Sequence, residues 1–255
     1  MVLVIEQGVY AGKGSAQRLG WLVVAGIAIL GIGVALSLAL GARSIPFSDV
    51  LAALRGQPGI ASSIVWERRL PRTLVAVCAG CALALAGAVL QIMTRNPLAD
   101  TGVFGINVGA SLAAAIALGW WGWQSPFAFS LAAIIGAAVT MLVVTAVGRG
   151  RAGDVDPLRL ILAGVAIGAV CEGLSSALIL VDPHSFARIR AWVTGSVDVA
   201  SWTPVAITSG GLAVGVVLLI VFARHLPPLA LGDEAAASLG INLKMTRLGL
   251  IAAVT

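Results

Sequence analysis

The sequence predicts an all-α fold, a polytopic bundle of transmembrane helices. Hydrophobic residues make up 59% of its 255 residues and charged residues 11%, whereas soluble proteins carry about 25% charged residues. The mean hydropathy is +1.03. Runs without charge recur along the chain, and each reaches the roughly 20 residues that cross a bilayer as a helix. These observations indicate an integral membrane protein.

The apolar runs predict about six complete spans. They cover Leu19–Ala42, Thr73–Thr94, Thr101–Gly148, Val199–Ala223 and, interrupted only by Glu172, Leu160–Val181. The run from Thr101 is long enough for two helices, and it breaks at Gly119–Pro126, where tryptophans beside a Gly/Pro turn are typical of an interfacial belt. A seventh span begins near Leu248 and is cut off at Thr255. We therefore expect residues 1–255 to form a single transmembrane domain that is incomplete at its C-terminus.

Charge predicts the orientation of the bundle. The first apolar run exceeds the 7 to 15 residues of a signal-peptide core, so we expect it to remain as the first span, preceded by a cytoplasmic tail at residues 1–18. Six spans place this tail and the loop at residues 224–247 on one side of the membrane. Assigning that side to the cytoplasm puts nine of the 16 Lys and Arg residues inside and seven outside, which the positive-inside rule favours.

Several classes of function are excluded by the sequence. The net charge of +5 needs no nucleic-acid partner in a membrane protein with basic loops. Cys78 and Cys81 lie within an apolar run without a second Cys or His pair, and Cys171 stands alone, so packing is the better interpretation than a zinc or redox site. Gly8–Ser15 has the wrong glycine spacing for a phosphate-binding loop. We expect no ATP site, metal or cofactor.

Glu172 is a candidate functional residue because an ionisable side chain near the middle of a span costs roughly 2.5 to 3.5 kcal/mol on insertion scales. One interpretation is that it borders a transport pathway. The other is a structural carboxyl that hydrogen-bonds Ser175, Ser176 or a neighbouring helix. Gly168 lies four residues earlier and so on the same helix face. This spacing predicts a polar stripe along a glycine-lined face.

Pro228–Asn242 is predicted to form a short amphipathic helix between two apolar runs. Gly232 precedes two acids, Asp233 and Glu234, which suit the positive end of a helix dipole, and Gly240 suits a left-handed C-terminal cap. Such a helix in a membrane-protein loop indicates a contact with another protein.

Three arginines in the segment Glu67–Arg72 precede the second span. They are compatible with an anchor to lipid headgroups or with a site for carboxylates of a partner protein. Their composition leaves both interpretations open.

Several blocks of the sequence resemble one family. The segment RLPRTLVAVCAGCALALAGAVLQIMTRNPLADTGVFGINVGAS (Arg69–Ser111) is similar to the signature of iron-siderophore, heme and vitamin B12 permeases, the membrane subunits of type II ABC importers. RLILAGVAIGAV (Arg159–Val170), GSVDVASW (Gly195–Trp202) and LALGDEAAASLGIN (Leu229–Asn242) match in the expected order. The resemblance covers nearly the whole chain from Arg69 onward.

The resemblance implies a permease with ten transmembrane helices in the cell (inner) membrane. It implies a second permease subunit, identical or a paralogue, two cytoplasmic ATP-binding subunits and an extracytoplasmic substrate-binding protein. The permease itself is then not an enzyme. The cargo is expected to be of ferric-siderophore type, with heme or cobalamin as the alternative. A rival of another class is a stand-alone secondary transporter with Glu172 as ion relay, which requires inverted repeats; we find no convincing internal repeat.

The resemblance also implies roles for single residues. Residues 228–242 match the cytoplasmic coupling helix that contacts the ATPase, and the Arg69–Arg72 motif matches the pair of arginines that receives glutamates of the binding protein, so Arg69 and Arg72 are expected to dock it. The fifth span lines the pathway in this family, which adds weight to Gly168 and Glu172. The cytoplasmic gate falls at Asp154, Val155 and Asp156. The expected ATPase contacts are Leu231, Gly232, Asp233, Glu234, Ser238, Leu239 and Gly240.

Overall fold

The computed structural model describes residues 11–102, 104–119, 122, 125–148, 157–181 and 195–255. All regular elements within these ranges are helices, which confirms the predicted all-α fold. The contacts group the chain into two units, one up to Thr73 and one from Leu74 to Thr255. Each unit is described by itself.

The first unit contains one long apolar helix and a compact corner that follows it. Its helices are α1 (Ala11–Ala39), α2 (Phe47–Leu54), α3 (Ile60–Ile64), a π-helical turn (Val65–Arg69) and the first residues of α4 (Leu70–Thr94). Buried apolar side chains hold the corner together, namely Leu38, Ile45, Val50, Ala53 and Val65. The indole nitrogen of Trp66 donates to the Ala53 carbonyl at 3.0 Å.

The second unit contains the remaining apolar helices. They are α4 after Thr73, α5 (Ile106–Gly119), α6 (Pro126–Val147), α7 (Pro157–Val181), α8 (Thr203–Phe222), a 3₁₀ turn (Ala223–His225), α9 (Leu226–Leu231), α10 (Asp233–Ser238) and α11 (Leu243–Val254). Its main core packs α4, α5, α6, α7 and α11 around Leu90, Met141, Val144, Leu160 and Ile251.

The apolar run from Thr101 to Gly148 divides into two helices, as predicted. Helix α6 begins where the Ser125 hydroxyl accepts from the Ala128 amide at 3.1 Å with Pro126 in the first turn, a favoured start for a helix. Helix α5 has only 14 residues, or about 21 Å of length, because Phe104 and Gly105 before it still lie in a turn, in which Gly105 has φ +66°. This is short of the roughly 30 Å hydrocarbon core.

The described residues contain five helices long and apolar enough to span a membrane, together with the shorter apolar helix α5. The five are Gly20–Ala39, Ile60–Thr94, Pro126–Val147, Leu158–Leu178 and Thr203–Leu231. The second starts earlier than expected because α3, the π-helical turn and α4 are continuous. Helix α11 also begins five residues before the expected Leu248, since the Asn242 side chain caps it by accepting from the Met245 amide at 3.1 Å.

Glycines allow α5 and α6 to pack closely. A Cβ on Gly109 would lie 2.6 Å from the Thr140 Cβ and 2.9 Å from the Gly136 carbonyl oxygen. Gly136 in turn faces Ala113 and the backbone of Gly109. Helix α7 also approaches the start of α5, because a Cβ on Gly105 would lie 3.4 Å from the Gly164 carbonyl oxygen and 3.8 Å from the Gly168 Cα.

Candidate functional site

The predicted short helix is α10, and its ends are fixed by two glycines. Gly232 precedes it with φ 130° and ψ 164°, and Gly240 follows it with φ 75°; both lie in the region that favours glycine. The Gly240 amide donates to the Ala237 carbonyl at 2.9 Å and the Ile241 amide to the Ala236 carbonyl at 3.1 Å. This pair of hydrogen bonds is a Schellman cap. We call Leu231–Gly240 the coupling segment, after the role that the resemblance predicts for it.

The helix is shorter than the Pro228–Asn242 segment from which it was predicted. Residues up to Leu231 belong to the separate helix α9, which the 3₁₀ turn joins to the apolar helix α8. The break falls at Gly232 because its positive φ cannot continue a right-handed helix.

The two acids at the start of α10 have different environments. Nη2 of Arg247 in α11 lies 2.6 Å from Oδ2 and 2.8 Å from Oδ1 of Asp233. The two side chains are only 7% and 17% exposed, respectively. Glu234, the next residue, is exposed. Asp233 therefore fastens α10 to α11, while Glu234 remains on the surface. The sequence did not reveal this role for Arg247, although an arginine close to an apolar run was a signal for a nearby carboxylate.

The buried side of the coupling segment packs on helices of the second unit. Ala236 is fully buried, and it shares a cluster with Val89 of α4, Leu229 of α9 and Leu250 of α11. The guanidinium of Arg95 lies beside Gly232, because a Cβ on that glycine would be 3.2 Å from Nη1. The segment is thereby held between the end of α4 and the start of α11.

The other side of the coupling segment is exposed. Leu231 is 77% exposed and Leu239 65% exposed, and Glu234, Ser238 and Gly240 are also on the surface. The larger side chains of Leu231 and Leu239 are exposed, while the smaller Ala236 is buried. Removal of apolar area from water would favour the opposite arrangement. Large exposed apolar side chains around a carboxylate are typical of a surface that another protein covers.

The arginines before α4 are divided between the interior and the surface. Arg69 is 8% exposed. Its Nη1 donates to the Leu38 carbonyl at 2.6 Å, and its Nη2 donates to the Arg43 carbonyl. Arg68 and Arg72, four positions apart, are both exposed. The structure thus brings only one of the two arginines predicted for docking, Arg72, to the surface.

Glu172 lies on an exposed side of α7. The preceding residue, Cys171, lines an apolar groove of about 520 Å³ between α5, α6 and α7, and Glu172 is not among its lining residues. The Ser175 hydroxyl donates to the Cys171 carbonyl at 2.8 Å, and Ser176 is exposed. Gly168, one turn earlier, is buried, where α7 approaches Gly105. The predicted gate residues Asp154, Val155 and Asp156 lie outside the described residues.

Comparison with known proteins identifies the family. The model of the FecCD transport family matches residues 29–255, which include the coupling segment, the arginines and α7. The chain belongs to the FecCD transport family. It is a membrane permease subunit of the ABC-importer class, and this assignment sets aside the stand-alone secondary transporter.

Curated relatives extend across most of the chain. The ferric enterobactin transport system permease protein FepD of Escherichia coli (strain K12) is 40% identical over 226 residues, 88% of this chain and 68% of the relative. The Fe(3+)-citrate import system permease protein YfmD of Bacillus subtilis (strain 168) is 34% identical over 242 residues, 93% of this chain and 70% of the relative. The hemin transport system permease protein HmuU of Yersinia pestis is 34% identical over 186 residues, 72% of this chain and 56% of the relative.

A solved structure has the same fold. It is described as a metal-chelate type ABC transporter in an inward-facing conformation, and it is similar with a TM-score of 0.71 at 24% identity. The match covers 89% of this chain and 69% of the solved chain. It supports the helical transporter architecture of the FecCD permease.

Proposed function

We propose that this FecCD permease forms the translocation pathway of an ATP-driven importer for a ferric-siderophore-type cargo. Two permease subunits, identical or paralogous, assemble with two cytoplasmic ATP-binding subunits and an extracytoplasmic substrate-binding protein. The observation that carries the proposal is the coupling segment, which is fixed on one side and exposes Leu231, Glu234 and Leu239 on the other. ATP hydrolysis belongs to the partner subunits, and the permease does no covalent chemistry.

The cargo class is inferred from relatives. FepD and YfmD are named for ferric enterobactin and Fe(3+)-citrate, both iron chelates. The relative named for hemin makes heme the second candidate. Cobalamin remains the third alternative and has no named relative among these proteins.

The proposed mechanism is a change in the relative stability of two states of the permease pair. ATP binding moves the ATPase subunits, and these move the coupling segment. Asp233 pairs with Arg247 of α11, Ala236 packs against Val89 of α4, and Gly232 lies beside Arg95, the residue after α4. A displacement of the coupling segment is therefore passed to membrane helices. We place the N-terminus and the coupling segment on the cytoplasmic side and the Arg68–Arg72 corner on the outside.

The exposed surface of the coupling segment offers the direct test. We expect Glu234→Lys combined with Leu239→Asp to reduce co-purification of the ATPase subunits at least about tenfold, because charge reversal and loss of apolar contact together remove more than the 1.4 kcal/mol that a tenfold change represents. Asp49→Lys, an exposed charge reversal in α2, is the matched control and is expected to retain the subunits. Retention of the ATPase by the double variant would refute the assignment of this surface.

Glu172 gives a separate prediction about the pathway. We propose that its exposed side faces water in at least one state, because lipid disfavours a carboxylate. With Cys78, Cys81 and Cys171 replaced by alanine, Glu172→Cys is expected to react with a water-soluble maleimide in at least one state of the ATP cycle. Leu162→Cys, on an exposed apolar part of the same helix, is the control for access from lipid. Protection of position 172 in every state, with normal uptake by Glu172→Gln, would leave the structural interpretation.

A further inference from the structure

The side chain of Arg69 lies at the C-terminal end of the first long helix, α1. Helix α1 ends at Ala39, and the last carbonyl groups of a helix have no partner within it. The Arg69 guanidinium donates one hydrogen bond to the carbonyl of Leu38 in the last turn and another to the carbonyl of Arg43 in the segment that follows. A cation in this place also complements the negative end of the helix dipole.

A glycine makes room for the Arg69 side chain. A Cβ on Gly41 would lie 3.1 Å from Nη2, 3.4 Å from Cζ and 3.6 Å from Nε of Arg69. A single Cβ at position 41 would require the guanidinium to shift slightly, and a branched side chain such as valine would require a larger shift. The guanidinium of Arg69 therefore packs directly against the backbone of Gly41.

A second polar contact supports the first. The Thr73 hydroxyl donates to the Arg69 carbonyl at 2.8 Å, and it lies 2.7 Å from the Ser37 hydroxyl on α1. Thr73 is only 5% exposed. Two polar links, one from each end of the Arg69–Thr73 turn, thus join α1 to the start of α4.

We infer that Arg69 is a positioning residue that locks α1 to the start of α4 and thereby supports the docking surface. Nη1 and Nη2 of Arg69 each donate to a carbonyl and the residue is 8% exposed, so most of its side chain is engaged in the α1–α4 contact. Arg72 on the exposed side carries the docking charge. The structural part of this inference stands alone, while its link to docking rests on the proposed function.

Local accessibility tests the structural part. In the permease with Cys78, Cys81 and Cys171 replaced by alanine, Thr73→Cys reports on this contact through its reaction with a water-soluble maleimide. Arg69→Gln and Gly41→Val are each expected to raise the labelling rate about tenfold or more, as local opening exposes a buried site. Arg72→Gln and Gly31→Val are expected to stay within about twofold of the parent. Gly31 lies in α1, and a Cβ there meets nothing within 4 Å.

A second reporter separates local opening from general unfolding. Thr246→Cys, 1% exposed in the other unit, is expected to stay protected in all variants. Unchanged labelling at position 73 in Arg69→Gln, or equal exposure at position 246, would overturn the inference.

A disulfide tests the link to docking. Ser37→Cys with Thr73→Cys, in the Arg69→Gln protein, joins the two helices where the hydroxyls now meet. Capture of the cognate substrate-binding protein is expected to fall in Arg69→Gln and to return when this disulfide is formed, because the disulfide replaces the lock. The loss in Arg72→Gln is expected to persist with the disulfide, because the missing charge is not replaced.

The outcomes distinguish the two proposals. Loss of capture in Arg69→Gln that the disulfide does not restore would make Arg69 a docking residue and overturn its positioning role. Normal capture by Arg72→Gln would refute the proposed docking charge, while the labelling result at position 73 would still establish the contact made by Arg69.

Discussion

Asp233→Ala is expected to lower cargo uptake at least about tenfold while the ATPase subunits stay bound and hydrolyse ATP. The ion pair of Asp233 with Arg247 is the charged link between α10 and α11, and both side chains are largely buried. Removing one partner of a buried pair leaves an uncompensated charge and typically costs 3–5 kcal/mol. About half of the lower value already corresponds to the roughly 1.4 kcal/mol of a tenfold change. Uptake and ATP hydrolysis, measured together in the assembled transporter, check the result.

Matched variants distinguish loss of the Asp233–Arg247 ion pair from loss of a single charge. Arg247→Ala is expected to reproduce the loss, and the exchange Asp233→Arg with Arg247→Asp is expected to restore part of it. Lys244→Ala removes an exposed charge three residues from Arg247 in α11 and is expected to retain uptake. A parallel fall of uptake and ATP hydrolysis in Asp233→Ala would contradict a role in coupling.

The ends of α10 could be predicted because their determinants are local. Gly232 and Gly240 impose backbone conformations that other residues avoid, and acids after Gly232 suit a helix start. The division between α5 and α6 followed for the same reason, since Ser125 and Pro126 favour a new helix. Such signals lie within a few residues of the structure that they determine.

The partners of charged residues could not be predicted because their determinants are distant. Asp233 meets Arg247 only after the chain turns at Gly240 and α11 begins, and several other cations were available on the same predicted side. Arg69 was expected to dock a partner from its motif, but its burial depends on the path of residues 40–46 and on Gly41. The sequence predicted a helix-dipole role for Asp233 and a carboxylate partner for Arg69, while the fold decided which contact each residue makes.

Helix length was difficult to predict for a related reason. Hydropathy counts the apolar residues from Thr101, but Gly105 with its positive φ places the first of them in a turn, so α5 is shorter than its run. Conversely, α4 is continuous with residues from Ile60, although Glu67, Arg68 and Arg69 interrupt the apolar pattern. Val65 and Arg69 within this stretch are buried in the corner.

The contact between α5 and α6 carries the second large prediction. Gly109→Val is expected to abolish accumulation of folded permease, because its Cβ alone would overlap Thr140 and approach the Gly136 carbonyl. Overpacking in a well-packed site costs about 1–3 kcal/mol when the surroundings can shift. Here one obstacle is backbone, and close approach of backbones through small residues is what holds membrane helices together, so we expect the upper end of that range or beyond.

The measurement is the amount of monodisperse permease after mild detergent extraction, together with its melting temperature. Gly80→Val provides the matched control, because Gly80 lies in the apolar helix α4 and a Cβ there meets nothing within 4 Å. Thr140→Ala in the Gly109→Val protein removes the Thr140 hydroxyl, the atom nearest to the added Cβ, and is expected to restore only part of the yield, since the Cβ at position 140 and the Gly136 carbonyl remain. Full recovery with Thr140→Ala would mean that side-chain overlap alone, without the backbone approach, limits this contact. A normal yield of Gly109→Val would show that α5 and α6 do not pack as closely as the structure has them.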